Sequence, residues 1–416
     1  MIICWPAPSG RLTGNLCSRP NLLINLKNVW ALVPAMKYFD FDRPVDRQNT
    51  ASLKWEKYKG QDILPLWVAD MDFRSPPVIM ETLHRKVQHG VFGYGAVSVE
   101  LVEVICQVLF TKYRWRVDPQ WLVWLPGLVS GLNIACRAVG KKHESVMAMI
   151  PVYPPFLTAP KNSNRRLVAV PLAASPHRWE IDFELLAGSV TPDTKLLLLC
   201  NPHNPVGRVF SRQEIVELVS FCDRHDIVIC SDEIHCDLIL DTDKEHVVTA
   251  TVSPEAAKRT ITLMAPSKTF NIPGLGCSFA VISSTSLRNK FLRAMAGIVP
   301  EVNILGLSAA EAAYRGGWEW LADLLDYLRE NRTLVEREIG SMEGLAMHHV
   351  EATYLAWIDA REIDKVSPGL FFETHGVGLS EGTDFGLSGF VRLNFGCQRA
   401  LLREALERMK KAVSGG

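Results

Sequence analysis

Nowhere in the 416 residues is there a run approaching the roughly 18 to 20 apolar residues that a membrane-spanning helix requires. No spanning segment is expected. Net charge is also missing: Lys and Arg number 45, Asp and Glu number 45, and the formal charge is +0. A nucleic-acid footprint or a membrane-surface patch ordinarily shows as a basic excess or cluster, so neither partner is expected and a small-molecule ligand is the default. The 10 cysteines contain no C-x-x-C pair and no Cys/His cluster at zinc spacing, which leaves no metal site in view. Scattered thiols read as buried and reduced in a cytoplasmic protein, Cys236 beside His235 included.

Acidic residues are absent from the first 35 positions, which hold a few Arg and Lys and no strong periodicity before Met36. NLLINLKNVW is broken by Asn and Lys, so a secretory segment fits poorly. Residues 1–36 are read as an extension, disordered or not native, with the compact fold beginning near Lys37. What remains is ordinary globular composition, 48% apolar and 22% charged, in a chain long enough for one large domain and a smaller one.

The pattern along the chain is an irregular arm, then a βα alternation, then a change of character. KYFDFDRPVDRQNTASLKWEKY mixes aromatics, charges and turn residues. LPLWVADMDF (64–73) then runs apolar into two carboxylates before Ser75-Pro76-Pro77 opens a helix. From about Glu100, helices alternate with short apolar strands, the signature of a mostly parallel sheet covered on both faces. KLLLLC suits a strand buried on both sides. SRQEIVELVSFCDRHD opens on a capping box, Ser211 with Glu214. After a long amphipathic helix from Trp318 to about Glu338, HHVEATYLAWID, GVGLSEG and GFVRLNFG read as strands and turns closed by a last helix, a small α+β domain.

Chemistry concentrates where apolar strands end. TITLM (260–264) delivers APSKTFNIPG, with Lys268 near its middle; KLLLLC delivers NPHNPVG; IVICSDEIH delivers Asp232 and His235. Open α/β sheets bind ligands at the carboxyl ends of their strands. A single lysine is usually a solvated surface charge, but a desolvated one can form a Schiff base with an aldehyde. A carboxylate for an N-heterocycle together with such a lysine is the pair that pyridoxal phosphate needs. PGLVSGLNIACRAVG reads as a glycine-rich turn opening a helix, either a phosphate seat or a pair of packing glycines, Gly127 and Gly131. His235 admits two readings, a core histidine or a site group, as does Arg392, a surface ion pair or a carboxylate clamp.

Taken jointly, WVADMDF, GVFGYG, PVYPPF, NPHNPVG, SDEIHCDL, APSKTFNIPG, EATYLAW and FVRLNFG resemble the fold-type I, aminotransferase-like enzymes dependent on pyridoxal 5'-phosphate. The likeness is closest to their MalY/PatB-type cystathionine β-lyase branch and covers roughly Lys37 to the C-terminus. It implies an α/β large domain with a mainly parallel seven-stranded sheet plus a small α+β domain. The division is 37–90 for the arm and the start of the small domain, 91–300 for the cofactor domain and 301–416 for the small C-terminal domain. It implies that Lys268 holds the cofactor as a Schiff base and moves the Cα proton, that Asp232 pairs with the pyridinium, and that Asn204 and His235 reach the ring hydroxyl. Tyr153 would stack on the ring; Gly127, Leu128, Val129 and Ser267 would seat the phosphate; Arg392 would clamp the substrate carboxylate. Tyr94 would reach the phosphate of a neighbouring subunit, making a homodimer. Gly276 and Ala265 stand where aminotransferases commonly place an arginine and a serine for the phosphate. That tilts the expectation from transamination, the runner-up, towards C–S β-elimination on L-cystathionine or related L-cysteine S-conjugates. A third reading, from the same branch, is a partner of regulators with secondary lyase activity.

Overall fold

A computed structural model describes residues 39–415 of the chain. The expected extension at 1–36 lies outside the described residues. Seven strands, β1 (Leu122–Leu125), β2 (Ser145–Ile150), β3 (Arg166–Pro171), β4 (Thr194–Cys200), β5 (Val228–Asp232), β6 (Thr260–Met264) and β7 (Ser278–Val281), form one sheet. Their order is β1-β7-β6-β5-β4-β2-β3, parallel throughout except for β7, which runs against both of its neighbours.

The KLLLLC run explains the place of β4 inside this sheet. Successive side chains point to opposite faces, and here both faces are covered. Leu196, Leu198 and Cys200 enter one core with Leu128, Leu132, Ile261 and Leu263, while Leu197 and Leu199 enter another with Ile215, Leu218 and Ile229. Each fully buried leucine contributes about 1.5–3 kcal/mol relative to exposure. The first core holds the helix Leu128–Ala138, the second the helix Arg212–Arg224. The second helix starts on the expected capping box, with Ser211 Oγ accepting from Glu214 N at 3.2 Å and Glu214 Oε2 accepting from Ser211 N at 2.7 Å.

In PVYPPF, Pro154 and Pro155 occupy the first turn of a helix, Pro154–Asn162, where a missing N–H costs nothing. HHVEATYLAWID, expected as strand and turn, pairs as β9 over Leu355–Asp359, after β8 (Ala346–Met347). The residues before β9 turn aside at Thr353, whose φ is 75°.

The second sheet is antiparallel, β8-β9-β11-β10, with β10 Ser380–Glu381 and β11 Phe390–Asn394. Its register places Arg392 opposite both Trp357 and Ser380. The arm runs along this sheet: Leu64–Pro65 pairs in parallel with Val377–Gly378, and Asn394 N donates to Leu66 O at 2.9 Å. Two such short strands hold little by themselves. The arm is fixed by buried charge: Asp72 accepts from Lys54 Nζ at 2.7 Å, Arg47 Nη1 at 2.7 Å and Trp55 Nε1 at 3.0 Å, with Lys54 0% and Asp72 1% exposed. These contacts hold the Asp72 carboxyl below its usual range against the desolvation that would raise it.

Asp72→Ala takes from the buried Lys54 ammonium its 2.7 Å carboxylate partner, leaving it the Asp70 carbonyl at 3.3 Å and an Asp70 carboxylate oxygen at 3.9 Å, and is expected to destabilise the fold by about 3–5 kcal/mol, read as a lower urea midpoint at unchanged slope. Lys54→Met with Asp72→Leu leaves no unpaired charge and is expected to cost less than Asp72→Ala alone. A double variant as unstable as the single one would count against the ion pair as the anchor.

Candidate active site

The carboxyl ends of β4, β5 and β6 are level, because hydrogen bonds continue past the strands. Asn201 N donates to Asp232 O at 3.0 Å, and Glu233 N donates to Leu263 O at 2.9 Å. The chain turns after Cys200, Asp232 and Met264 therefore open at one edge of the sheet, joined there by those after β1 and β2. Arg392 reaches the same edge from the second sheet, its Nη1 donating to Asn204 Oδ1 at 3.1 Å.

Lys268 is partly buried, and its Nζ donates to the carbonyl of Ala69 at 2.5 Å. Burial pulls the amine down to about 8, with Arg392 acting the same way and Asp70 and Asp232 opposing. The amine thus gives up its proton closer to physiological pH than an ordinary lysine does, as a nucleophile requires. Its loop is stitched to the arm by Asn271, in the left-handed region at φ 53°. Asn271 Oδ1 accepts from Met71 N at 3.0 Å, and its Nδ2 donates to Met71 O at 2.9 Å and Phe73 O at 2.8 Å. Asparagine tolerates that conformation better than most residues.

Asp232 is buried, and its carboxylate accepts from Ile234 N at 3.1 Å. Desolvation raises it to about 7, with Glu233 adding to the effect and Lys268 and the Ile234 amide opposing. His235 is buried, and its Nδ1 has no hydrogen-bond partner within the chain. Burial, then the charges of Lys268 and Arg392, hold it down to about 3, so the imidazole is neutral.

Arg392 is buried too, and is no surface ion pair. Its Nη2 donates to Trp67 O at 2.7 Å and Ser380 Oγ at 3.2 Å, and its guanidinium lies 4.7 Å from the centre of the Phe385 ring. Burial lowers it only to about 10, so it keeps its charge, while the buried Nε and one N–H of Nη1 are left without a partner. Tyr153, half-buried, donates its backbone N–H to Asn204 O at 3.1 Å, and burial raises its hydroxyl.

The glycine alternatives separate. A Cβ on Gly131 would lie 3.0 Å from Leu263, so Gly131 is a packing glycine, whereas one on Gly127 meets nothing within 4 Å. Gly127 precedes the helix Leu128–Ala138, which no side chain caps, leaving its first N–H groups to an anion. Gly276 has φ 58°, and a Cβ there would lie 3.0 Å from Pro126 O, so this backbone is unsuited to the arginine of many aminotransferases. Ser267 sits on the lysine loop, partly buried. Tyr94 is not brought to the others: it is fully exposed on the turn between helices Pro77–His89 and Val99–Tyr113.

Some of the site was missed. Ala69 O also accepts from Tyr354 OH at 2.9 Å, and Asn394 Nδ2 donates to Val68 O at 2.6 Å and Asp70 O at 2.7 Å. WVADMDF, EATYLAW and FVRLNFG were visible as motifs, but nothing in them says that they meet. Trp67 contributes the carbonyl that Arg392 and Ser380 share. Phe73 packs 5.1 Å from Phe41.

A model of the aminotransferase class I and II family matches residues 61–409. The chain belongs to that family. Within it, the chain is 35% identical to the cystathionine β-lyase PatB of Bacillus subtilis, over 90% of this chain and 100% of that one. It also matches two crystal structures, OvoB at 48% identity with a TM-score of 0.89 (91% of this chain, 100% of that one) and cystalysin of Treponema denticola, which contains pyridoxal 5'-phosphate. The cystalysin match has 31% identity and a TM-score of 0.87, over 91% of this chain and 99% of that one. The family's MalY/PatB-type branch, expected from the motifs, is the one to which this aminotransferase-family chain belongs. Its site fits the cofactor: a desolvated carboxyl short of a cation, an imidazole with an orphaned nitrogen, open space at an uncapped helix start, and a lysine of lowered proton affinity.

The raised value of Asp232 has a stability consequence in the chain without cofactor. The folded carboxyl holds its proton up to about 7 against an ordinary 3.8, so its contribution is present below 3.8 and lost as pH rises through 7. Asp232→Asn does not titrate. The parent, without cofactor, is expected to lose on the order of 3 kcal/mol relative to Asp232→Asn between pH 4 and pH 8, measured by urea unfolding. A pH-independent difference would contradict the burial argument.

Proposed function

We propose that the chain is a pyridoxal-phosphate-dependent C–S β-lyase acting on L-cystathionine or related L-cysteine S-conjugates, which with water yield a thiol, pyruvate and ammonia. The observation behind it is the Lys268 amine held on the Ala69 carbonyl at the sheet edge that also carries Asp232 and Arg392, with burial lowering its proton affinity. The names of PatB and of the other cystathionine β-lyase relatives support the same reaction.

When bound, the cofactor supplies an aldehyde for amines and a pyridinium ring that takes up the electron pair left at Cα. Lys268 would be the residue that holds the aldehyde, and its amine, once free, would take the proton from the substrate Cα. Asp232, ionised beside a pyridinium, keeps that nitrogen protonated. Asn204, whose amide oxygen is engaged by Arg392, has its amide nitrogen for the ring hydroxyl, together with neutral His235. Tyr153 covers the ring. The N–H groups of Leu128 and Val129, after Gly127, and the Ser267 hydroxyl seat the phosphate. Arg392, already oriented by Asn204, Trp67 O and Ser380, takes the substrate carboxylate on its remaining donors. The sulfur leaves Cβ as a thiolate and is protonated.

A homodimer is part of this reading. Val91, Phe92, Tyr94 and Val99 are exposed together around GVFGYG, an apolar set suited to a second copy whose phosphate site Tyr94 completes. The division into a cofactor domain over 91–300 and a small domain over 301–416 is supported by the two sheets. A cytoplasmic setting accords with eight free cysteines among the described residues.

Lys268→Ala is expected to abolish pyruvate release from cystathionine and the visible absorbance of the lysine-bound cofactor; release at the parent rate would sink the assignment. Arg392→Lys is expected to lower kcat/KM about 100-fold, mostly through KM, because a point charge cannot replace an oriented fork. Release of pyruvate without added keto acid separates elimination from the family's alternative, transamination, which needs an α-keto acid acceptor.

A further inference from the structure

WVADMDF contains two carboxylates that differ in how completely they are satisfied. Asp72 is wholly engaged in anchoring the arm, with three donors around it. Asp70 engages one oxygen only: Oδ2 accepts from Arg47 Nη2 at 2.9 Å. Its Oδ1 is buried, without a hydrogen-bond partner, and 3.9 Å from the Lys54 ammonium. A buried carboxylate oxygen left without a hydrogen-bond donor is costly and calls for a reason. Asp70 directly follows Ala69, whose carbonyl receives both the Lys268 amine and the Tyr354 hydroxyl, and the Asp70 carbonyl is pinned by Asn394 at 2.7 Å. The carboxylate is thus fixed by its own backbone one residue from the lysine's resting place.

We propose that Asp70 is a positioning residue for Lys268, its carboxylate oxygen that lacks a hydrogen-bond donor serving as the counter-charge of the amine whenever that amine is protonated and released beside the Ala69 carbonyl. This rests on the function proposed above and adds to it the group that holds the lysine after it has taken the Cα proton. Asp70 and Asp232 are the carboxylates that act on the amine, Arg392 is the opposing cation, and neutral His235 and Tyr354 complete the surroundings. Asp232 is committed to the cofactor ring in that reading, and the cations facing Asp70 itself are Arg47 at 2.9 Å and Lys54 at 3.9 Å. Arg47 restrains it through the other oxygen.

Two readouts test this in the full-length protein. In the holoenzyme, the pH at which the lysine-bound cofactor changes its visible absorbance is expected to fall by about one unit in Asp70→Asn and to return most of the way in Asp70→Glu. In the same chain freed of cofactor, Lys268 is expected to be labelled by an amine reagent about fivefold faster at pH 7 in Asp70→Asn, read by peptide mass spectrometry. Arg47→Met distinguishes charge from scaffolding: it releases the carboxylate from its cation and is expected to move both readouts the opposite way. Unshifted titration and labelling in Asp70→Asn, or an Arg47→Met shift in the same direction as Asp70→Asn, would overturn the inference. Absence of any cofactor absorbance in the parent would instead fail the proposed function, with the labelling still deciding the role of Asp70.

Discussion

The carbonyl of Ala69 is the point on which this site depends. It is a neutral acceptor in a buried place, and it receives a lysine amine from the loop after β6 and a tyrosine hydroxyl from the turn before β9. Around it, Val68 O and Asp70 O are taken by Asn394, Met71 and Phe73 by Asn271, and Trp67 O by Arg392 and Ser380. An extended segment with few strand partners would leave these groups unsatisfied. Side chains from both sheets supply the missing partners, and in doing so they register the seven-stranded sheet against the antiparallel one.

That arrangement explains why the arm is anchored by buried ions and not by a ladder. Two parallel residue pairs are too little to fix a strand. The Asp72, Lys54 and Arg47 cluster fixes direction as well as position, because a charge displaced from its partner in a buried place is costly. Thr353, a β-branched residue at φ 75°, belongs to the same construction: such backbones cost on the order of 1–3 kcal/mol and persist where the surroundings determine them. Here the strained residue delivers Tyr354 to the arm.

The electrostatics are graded by desolvation. Asp232, His235, Lys268 and Arg392 are all shifted towards their neutral forms with burial as the largest cause, but by different amounts. The result is a neutral imidazole, a carboxyl poised near neutrality, an amine of lowered proton affinity and a guanidinium still charged. These are four different states at one pH, suited to holding a ring, keeping a nitrogen protonated, moving a proton and gripping a carboxylate.

By itself, the sequence determined the parts whose physics is local. Apolar runs of strand length, a capping box at Ser211 and Glu214, and turn-rich segments after KLLLLC, VICSD and TITLM follow from backbone preference and burial pattern. They placed Asn204, Asp232 and Lys268 at strand ends. The motifs around them made the aminotransferase-like family and its lyase branch legible as well. Only the tertiary structure decided which carbonyl holds Lys268, that Gly131 packs while Gly127 stays open, that His235 has an orphaned nitrogen, and that Arg392 is oriented by Asn204, Trp67 and Ser380. Each depends on residues hundreds of positions apart meeting in three dimensions, Ala69 with Lys268 and Trp67 with Arg392. No local propensity encodes such a meeting, because the partner of a backbone carbonyl is set by packing and not by the residue that bears it.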